Sequence, residues 1–242
     1  MTEEKVKLIT GSLLHDIGKV IYRQGTDRRN HSTAGGDYLK DEVGITDRVV
    51  LDCVKYHHAA MLKGAALDDN SLAYIVYLAD NIAAFADRRK KAESDEKGFE
   101  LAVPLQSIFN ILNGNHEEFY YQPGDMGDDN GINYPSAEKK KFSEAFYTKI
   151  RQRLTDNLKG LQWTEEYINS LMAVMEANLT YIPSSTSKAE LADISLYDHV
   201  KLTAAIAACI YDYLNEKGLS YKAALFEHEK LFYDEQAFIL YS

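Results

Sequence analysis

Val6, Ile9, Leu13, Ile17 and Val20 step along the chain by three or four residues, the spacing that puts apolar side chains on one helix face. The pattern recurs. Val50, Cys53, Val54 and His57 share one side of a run predicted helical from Asp47 to Ala60, and "DDNS" caps another over Ser71–Arg89. Further helices are predicted over Ser136–Leu158, Thr164–Tyr181, Tyr197–Lys217 and Tyr221–Asp234, with a short one after His31. Four prolines in 242 residues leave these runs unbroken, so the fold class is predicted to be all-α. A chain of this length can bury a sizeable core as one large domain or two small ones.

The periodicity lapses between about Lys90 and Pro135, where "YYQPGDMGDDNGINYP" is a Gly/Asp/Pro-rich loop. "PSSTSK" (Pro183–Lys188) reads as a connector. The closing "QAFILYS" has the pattern of a short C-terminal strand with nothing to pair with, and is expected to open a further domain.

Composition narrows the function classes. No apolar run is long enough to cross a bilayer, and "MTEEKVKLIT" lacks the apolar block of a signal peptide, so a cytoplasmic chain without membrane contact is expected. Cys53 and Cys209 lie far apart inside apolar helical patterns and are expected to be buried free thiols. A net charge of −10 argues against tight nucleic-acid binding through bulk charge. It leaves room for a site whose metal supplies positive charge locally. "DRRKK" (Asp87–Lys91) and "KKK" (Lys139–Lys141) read as solvated helix ends.

Against this background "GSLLHDIGKV" (Gly11–Val20) stands out, because an apolar helix pattern carries His15 and Asp16 side by side. Gly11 and Gly18 flank the pair at i−4 and i+3 from His15, each at a cost of roughly 1 kcal/mol relative to Ala, and are expected to clear space beside it. His57 is predicted to point inward, with His58 about 100° further round. Asp80 falls among Val76, Ala83 and Ala84, where a carboxylate is costly unless paired or metal-bound. His199 shares a face with Leu202 and Ile206. Taken singly, each histidine reads as an ordinary core or surface residue. Together His15, Asp16, His31, His57, His58, Asp80 and His199 form a candidate metal set, with His116 and His228 outside it. Imidazoles with carboxylates and no thiolate suit a divalent transition metal such as Mn, Fe, Co, Ni or Zn. Seven ligands exceed what one tetrahedral ion needs, whereas two ions bridged by a carboxylate would use them.

"LLHDIGK" resembles the signature of HD-superfamily metal-dependent phosphohydrolases. His15-Asp16, His31, His57-His58 and Asp80 occur in that superfamily's order, but the lone His that leads it is absent before His15. The late helix "DHVKLTAAIAACIYDYL" is similar to the superfamily's first helix, displaced to the end. That circularly permuted order, together with "HSTAGGDYL", "YLADNIA" and "IPSSTSK", resembles the N-terminal HD nuclease domain of the large subunit of type III-A (Csm-type) CRISPR effector complexes. The resemblance implies a permuted HD domain over 1–218, with a metal core at 1–90, a closing helix at 197–217 and an insertion with extra helices at 91–196. Residues 219–242 would then be a connector and the start of a palm domain. It further implies metal-dependent cleavage of single-stranded DNA, with CRISPR RNA and other effector subunits as partners through the remainder of the protein. "GGDY" (Gly35–Tyr38) lacks the second Asp of the cyclase motif, and cyclase activity is not expected.

In the two-ion reading, His15, Asp16, Asp80 and His199 hold one ion, while bridging Asp16 with His31, His57 and His58 holds the other. Lys19 is a candidate phosphate ligand beside the catalytic pair His15 and Asp16, and Arg88 and Arg89 are candidates for guiding the strand. Two other readings stay open: an HD phosphohydrolase acting on nucleotides or cyclic dinucleotides, and a weakly active docking module of the complex.

Overall fold

The computed structural model describes residues 1–25, 29–87, 89, 97–112, 118–124, 126, 133–160 and 162–226. Among them eleven α-helices and one π-helical turn account for the regular structure, and the only β-pairings are isolated bridges. The all-α expectation is met. The predicted C-terminal strand falls in 236–242, outside the described residues.

The helices begin where capping chemistry permits. Asn30, Asp47, Ser143 and Ser195 sit in extended backbone, and each side chain accepts a hydrogen bond from the amide three residues on. These caps open α3 (His31–Tyr38), α4 (Arg48–Lys55), α8 (Glu144–Leu158) and α10 (Leu196–Lys217). A π-helical turn over Leu39–Val43 closes on Gly44 at φ +88°. The remaining α-helices are α1 (Glu3–Leu14), α2 (Gly18–Arg23), α5 (Ala59–Gly64), α6 (Leu72–Asp87), α7 (Phe109–Leu112), α9 (Glu165–Leu179) and α11 (Tyr221–Phe226).

Two predicted helices are broken, and both breaks matter. The run through Val20 is not continuous: α1 ends at Leu14 and α2 starts at Gly18. Between them the backbone tightens to i→i+3 hydrogen bonds, Ile17 N to Leu14 O at 3.0 Å and Lys19 N to Asp16 O at 2.9 Å. The apolar three-residue step from Leu14 to Ile17 survives that tightening, which is why the sequence pattern does not reveal it. The Asp47–Ala60 run also ends early. α4 stops at Lys55, Tyr56 takes φ −114°, and His58 is extended before α5. His57 therefore follows the end of α4 rather than lying on its inner face.

α1 runs through the middle of the molecule, against α10, α4, α9 and α6. One core cluster joins α1–α4 to α8, α9 and the first turns of α10 around Leu13, Ile17, Ile150 and Met175. A second joins α6, the later turns of α10 and α11 around Ile75, Val76, Ile206 and Tyr211. Cys53 is buried in this second cluster and Cys209 is half-buried, both as free thiols. The stretch predicted irregular contains α7 and pairs locally through isolated bridges at Gln106, Tyr120 and Ser136. Among the described residues, no helix is long and apolar enough to cross a membrane.

Candidate metal centre

Five separate pieces of chain deliver the candidate ligands: the α1–α2 junction, the first residue of α3, the α4–α5 junction, the middle of α6 and the first turn of α10. The glycines help to bring them together. A Cβ at Gly18 would lie 1.8 Å from the His31 carbonyl oxygen and 2.8 Å from the Gly35 amide nitrogen, so only glycine lets α3 seat His31 against α2. Gly11 serves a different neighbour: its missing Cβ is filled by the Cys53 side chain.

The two helix breaks fix imidazole orientation in the same way. At the end of α1, His15 Nδ1 donates to the Ser12 carbonyl at 2.7 Å; at the end of α4, His57 Nδ1 donates to the Val54 carbonyl at 2.7 Å. Each histidine satisfies a helix-terminal carbonyl and in doing so leaves the lone pair on Nε2 facing inward. Both rings are fully buried.

Two groups result. His31, His57 and His58 offer ligand atoms within 4.8 Å of one another, and so do His15, Asp80 and His199. Asp16, 2% exposed, lies between them with one oxygen toward each. Its Oδ1 is 3.1 Å from His31 Nε2 and 3.7 Å from His57 Nε2; its Oδ2 is 3.4 Å from His199 Nε2 and 3.5 Å from His15 Nε2. Lys19 Nζ donates to the same Oδ2 at 2.5 Å. All seven residues gathered from the sequence thus converge, and Lys19 lines the same cleft. Arg89 is placed elsewhere, its Nε 3.5 Å from Asp193 Oδ2, and Arg88, His116 and His228 lie outside the described residues.

The electrostatics of the groups differ in sign. Burial pushes the His57 and His58 imidazoles toward the neutral form, His58 to about 4, with its neighbour His31 adding to the effect. His199 goes the other way. Burial disfavours its charge, but hydrogen bonds from Nε2 to Asp80 Oδ1 at 3.1 Å and from Nδ1 to Asp87 Oδ2 at 2.9 Å raise it to about 9. Burial also opposes ionisation of Asp16 and Asp80. Lys19 beside Asp16, and His15 and His199 beside Asp80, outweigh it and hold both carboxyls well below the usual range.

These residues fit metal ions. The buried His15 Nε2 has no hydrogen-bond partner, although Asp16 Oδ2 and Asp80 Oδ1 both stand 3.5 Å away. His31 Nε2 and His58 Nε2 are 2.8 Å apart, with His57 Nε2 3.3 Å from the former. Three imidazole nitrogens pointed at one spot, beside an ionised carboxylate, are the arrangement a divalent cation satisfies.

Asp87 was not singled out in the sequence. It orients His199 through Nδ1, the carboxylate–histidine pairing that fixes a ligand's tautomer. Its signal was present, since Asp80, Ala84 and Asp87 share one face of α6 at helical spacing and all line the cleft. Arg23, 7% exposed, was also missed. Its guanidinium donates to the Pro183 and Ser184 carbonyls at 2.6 and 3.2 Å, holding the "PSSTS" segment across the cleft.

A helical fold that gathers His-Asp, His, His-His and Asp in this order has the residue pattern of HD domains, and residues 1–84 match the HD domain family. Along its length the chain is 40% identical over 248 aligned residues to the single-strand-specific deoxyribonuclease Cas10/Csm1 (subtype III-A) of Streptococcus thermophilus, covering 100% of this chain and 32% of that protein. The Enterococcus italicus Cas10/Csm1 is 37% identical over 252 residues, 99% of this chain and 33% of the relative. The crystal structure of a Csm1–Csm4 subcomplex of the type III-A CRISPR–Csm interference complex superposes with a TM-score of 0.61 at 25% identity, over 87% of this chain and 28% of that one. The chain spans about a third of the length of these relatives, and over that third it is similar to Cas10/Csm1 proteins.

Proposed function

We propose that this chain is a metal-dependent nuclease that cleaves single-stranded DNA within a type III-A CRISPR effector complex, in antiviral defence. The observation that carries the reading is the pair of buried ligand groups sharing Asp16, one carboxylate oxygen toward each. His15, Asp80 and His199 with Asp16 Oδ2 would hold one ion; His31, His57 and His58 with Asp16 Oδ1 would hold the second. Borderline divalent metals, Mn, Fe, Co, Ni or Zn, match the nitrogen-and-carboxylate donor set.

When bound, such ions supply Lewis-acid activation of water and neutralise charge on a phosphodiester. The chain's own residues set up that chemistry. Ser12 and Val54 carbonyls keep the His15 and His57 protons on Nδ1, so that Nε2 is free to ligate. Asp87 does the same for His199 once its Nε2 proton is displaced. Lys19, ion-paired to Asp16 at the cleft wall, is placed to meet a phosphate oxygen. Arg89, engaged with Asp193, has a weaker claim on the strand.

The relatives named as deoxyribonucleases support the substrate class, and a neighbour's Csm4 partner supports assembly with effector subunits; CRISPR RNA as a further partner and a cytoplasmic location are part of the same proposal. In this reading residues 1–218 are the HD unit, α10 takes the place of a leading HD-superfamily helix, and 219–242 lead into a palm domain.

The test is direct. Purified chain supplied with Mn, Co or Ni is expected to shorten a labelled single-stranded oligonucleotide, and His15→Ala with Asp16→Asn to abolish cutting. Undiminished cutting by that double variant would remove the assignment. Hydrolysis of mononucleotides with oligonucleotides left intact would move the substrate to the nucleotide class, and less than one equivalent of metal after reconstitution would favour a docking module.

A further inference from the structure

The metal ligands form only one side of a cleft of about 600 Å³. The opposite wall comes from Phe99, Leu101 and the Ser184–Ser187 segment, the "PSSTS" stretch to which the metal chemistry gives no task. This wall is built rather than loose. Phe99 and Ser187 form an antiparallel bridge, Glu100 N donates to Thr186 O at 2.8 Å, and Lys188 N donates to Gly98 O at 3.0 Å. On its other edge Ser184 N donates to Ile194 O at 2.8 Å, next to a Pro183–Ser195 bridge. Arg23 of α2 clamps the Pro183 and Ser184 carbonyls from below, tying the wall to the helix that also carries Lys19.

On this pinned backbone Phe99 is 70% exposed. A large apolar ring held open to water on a bridged segment, in a cleft lined by Lys19, serine and threonine as well as Asp16, Asp80, Asp87 and Glu190, offers its face to a flat apolar partner. Unpaired nucleobases are such partners, because every base has a π-face and stacking on an aromatic side chain tolerates any sequence. Duplex DNA has no free face to offer, its bases being stacked on one another.

We propose that Phe99, on the wall formed with Ser184–Ser187, is a base-stacking platform that makes the cleft selective for single strands. The inference rests on the nuclease reading above and adds the residue that reads strandedness. Phe99 touches a base rather than the reacting phosphate, so it acts on substrate binding and leaves the metal centre alone.

The experiment compares the metal-loaded chain with Phe99→Ala and Phe99→Trp on three substrates: an oligothymidylate, the same oligomer with abasic sites throughout, and bis(p-nitrophenyl) phosphate, a diester without a base. Phe99→Ala is expected to raise KM for the oligothymidylate about tenfold with kcat unchanged, as loss of one stacked base would. It should leave the abasic oligomer and the small diester unaffected, and Phe99→Trp should restore KM. Equal weakening on the abasic oligomer, or no change on the oligothymidylate, would overturn the platform. Wild-type protein that cuts none of the three would remove the nuclease reading instead. Fluorescence anisotropy with a cut-resistant phosphorothioate oligothymidylate then decides the stacking by itself: tenfold weaker binding in Phe99→Ala supports it, and unchanged binding overturns it.

Discussion

At the scale of single residues, the site is held by small hydrogen-bonding decisions. Asp87 shows how much rests on one of them. Asp87→Asn keeps the size of the side chain but weakens its grip on His199 Nδ1, and is expected to lower metal affinity about 10–100-fold, measured by titration calorimetry, while the fold is retained. The imidazoles also set a pH dependence in the metal-free chain. His199, raised to about 9, stabilises the folded state fully below an unfolded value of about 6.5, and that contribution disappears as pH rises through about 9. His57 and His58 act with the opposite sign. Kept neutral by burial, they cost nothing above about 6.5 and increasingly destabilise as pH falls, for His58 toward about 4. The chelator-treated chain is therefore expected to be most stable near pH 6.5, by thermal melts across pH. His199→Gln should flatten the alkaline side of that profile, and a profile unchanged by the substitution would contradict the assignment.

At the scale of elements, the α2–α3 contact is the tightest constraint on the site. Gly18→Ala would drive a methyl group into the His31 carbonyl, so α3 must move and take its ligand with it. Overpacking of this kind costs about 1–3 kcal/mol, and the variant is expected to lose that much in urea unfolding along with metal at the His31 group. This contact also shows what could be read from the sequence. The longer helices and the seven residues that converge were legible, because 3.6-residue periodicity and polar residues on apolar faces are local signals, whereas the π-helical turn and α7 were not. The breaks at His15–Ile17 and Tyr56–His58 were not: at the first, i→i+3 winding preserves the apolar step while changing the direction in which a histidine points, and at the second the chain turns extended at His58 with no glycine or proline to mark it. Gly18 was read as making room beside His15. The neighbour it makes room for, His31 of α3, depends on tertiary packing that no spacing encodes. Arg23 and the wall it clamps were illegible for the same reason, because their partners lie some 160 residues away along the chain.

At the scale of the whole molecule, charge and metal are coupled. The chain carries a net charge of −10, and its site gathers two buried ionised carboxyls, Asp16 and Asp80. Cations that neutralise the site bind the folded form, and at a hundred times Kd such a ligand adds about 2.7 kcal/mol of stability. For a chain of this size that is a rise in Tm of roughly 5–10 °C on adding metal. Differential scanning calorimetry of the wild type should show it, and His15→Ala with Asp16→Asn should not. A wild-type Tm indifferent to Mn, Co, Ni and Zn would argue against any tight ion.

The position of His199 gives the site a second physical role. It reaches His15 and Asp80 from α10, across most of the sequence, while α1 and α6 bring their ligands from near its beginning. An ion shared by these three residues would be a removable crosslink closing the stretch from His15 to His199 into one loop, with the entropic leverage on the unfolded state that long loops carry. Loading the site then reports whether α10 has met the helices of the first third of this sequence, and a site assembled this way acquires its ion only once folding has brought α10 home.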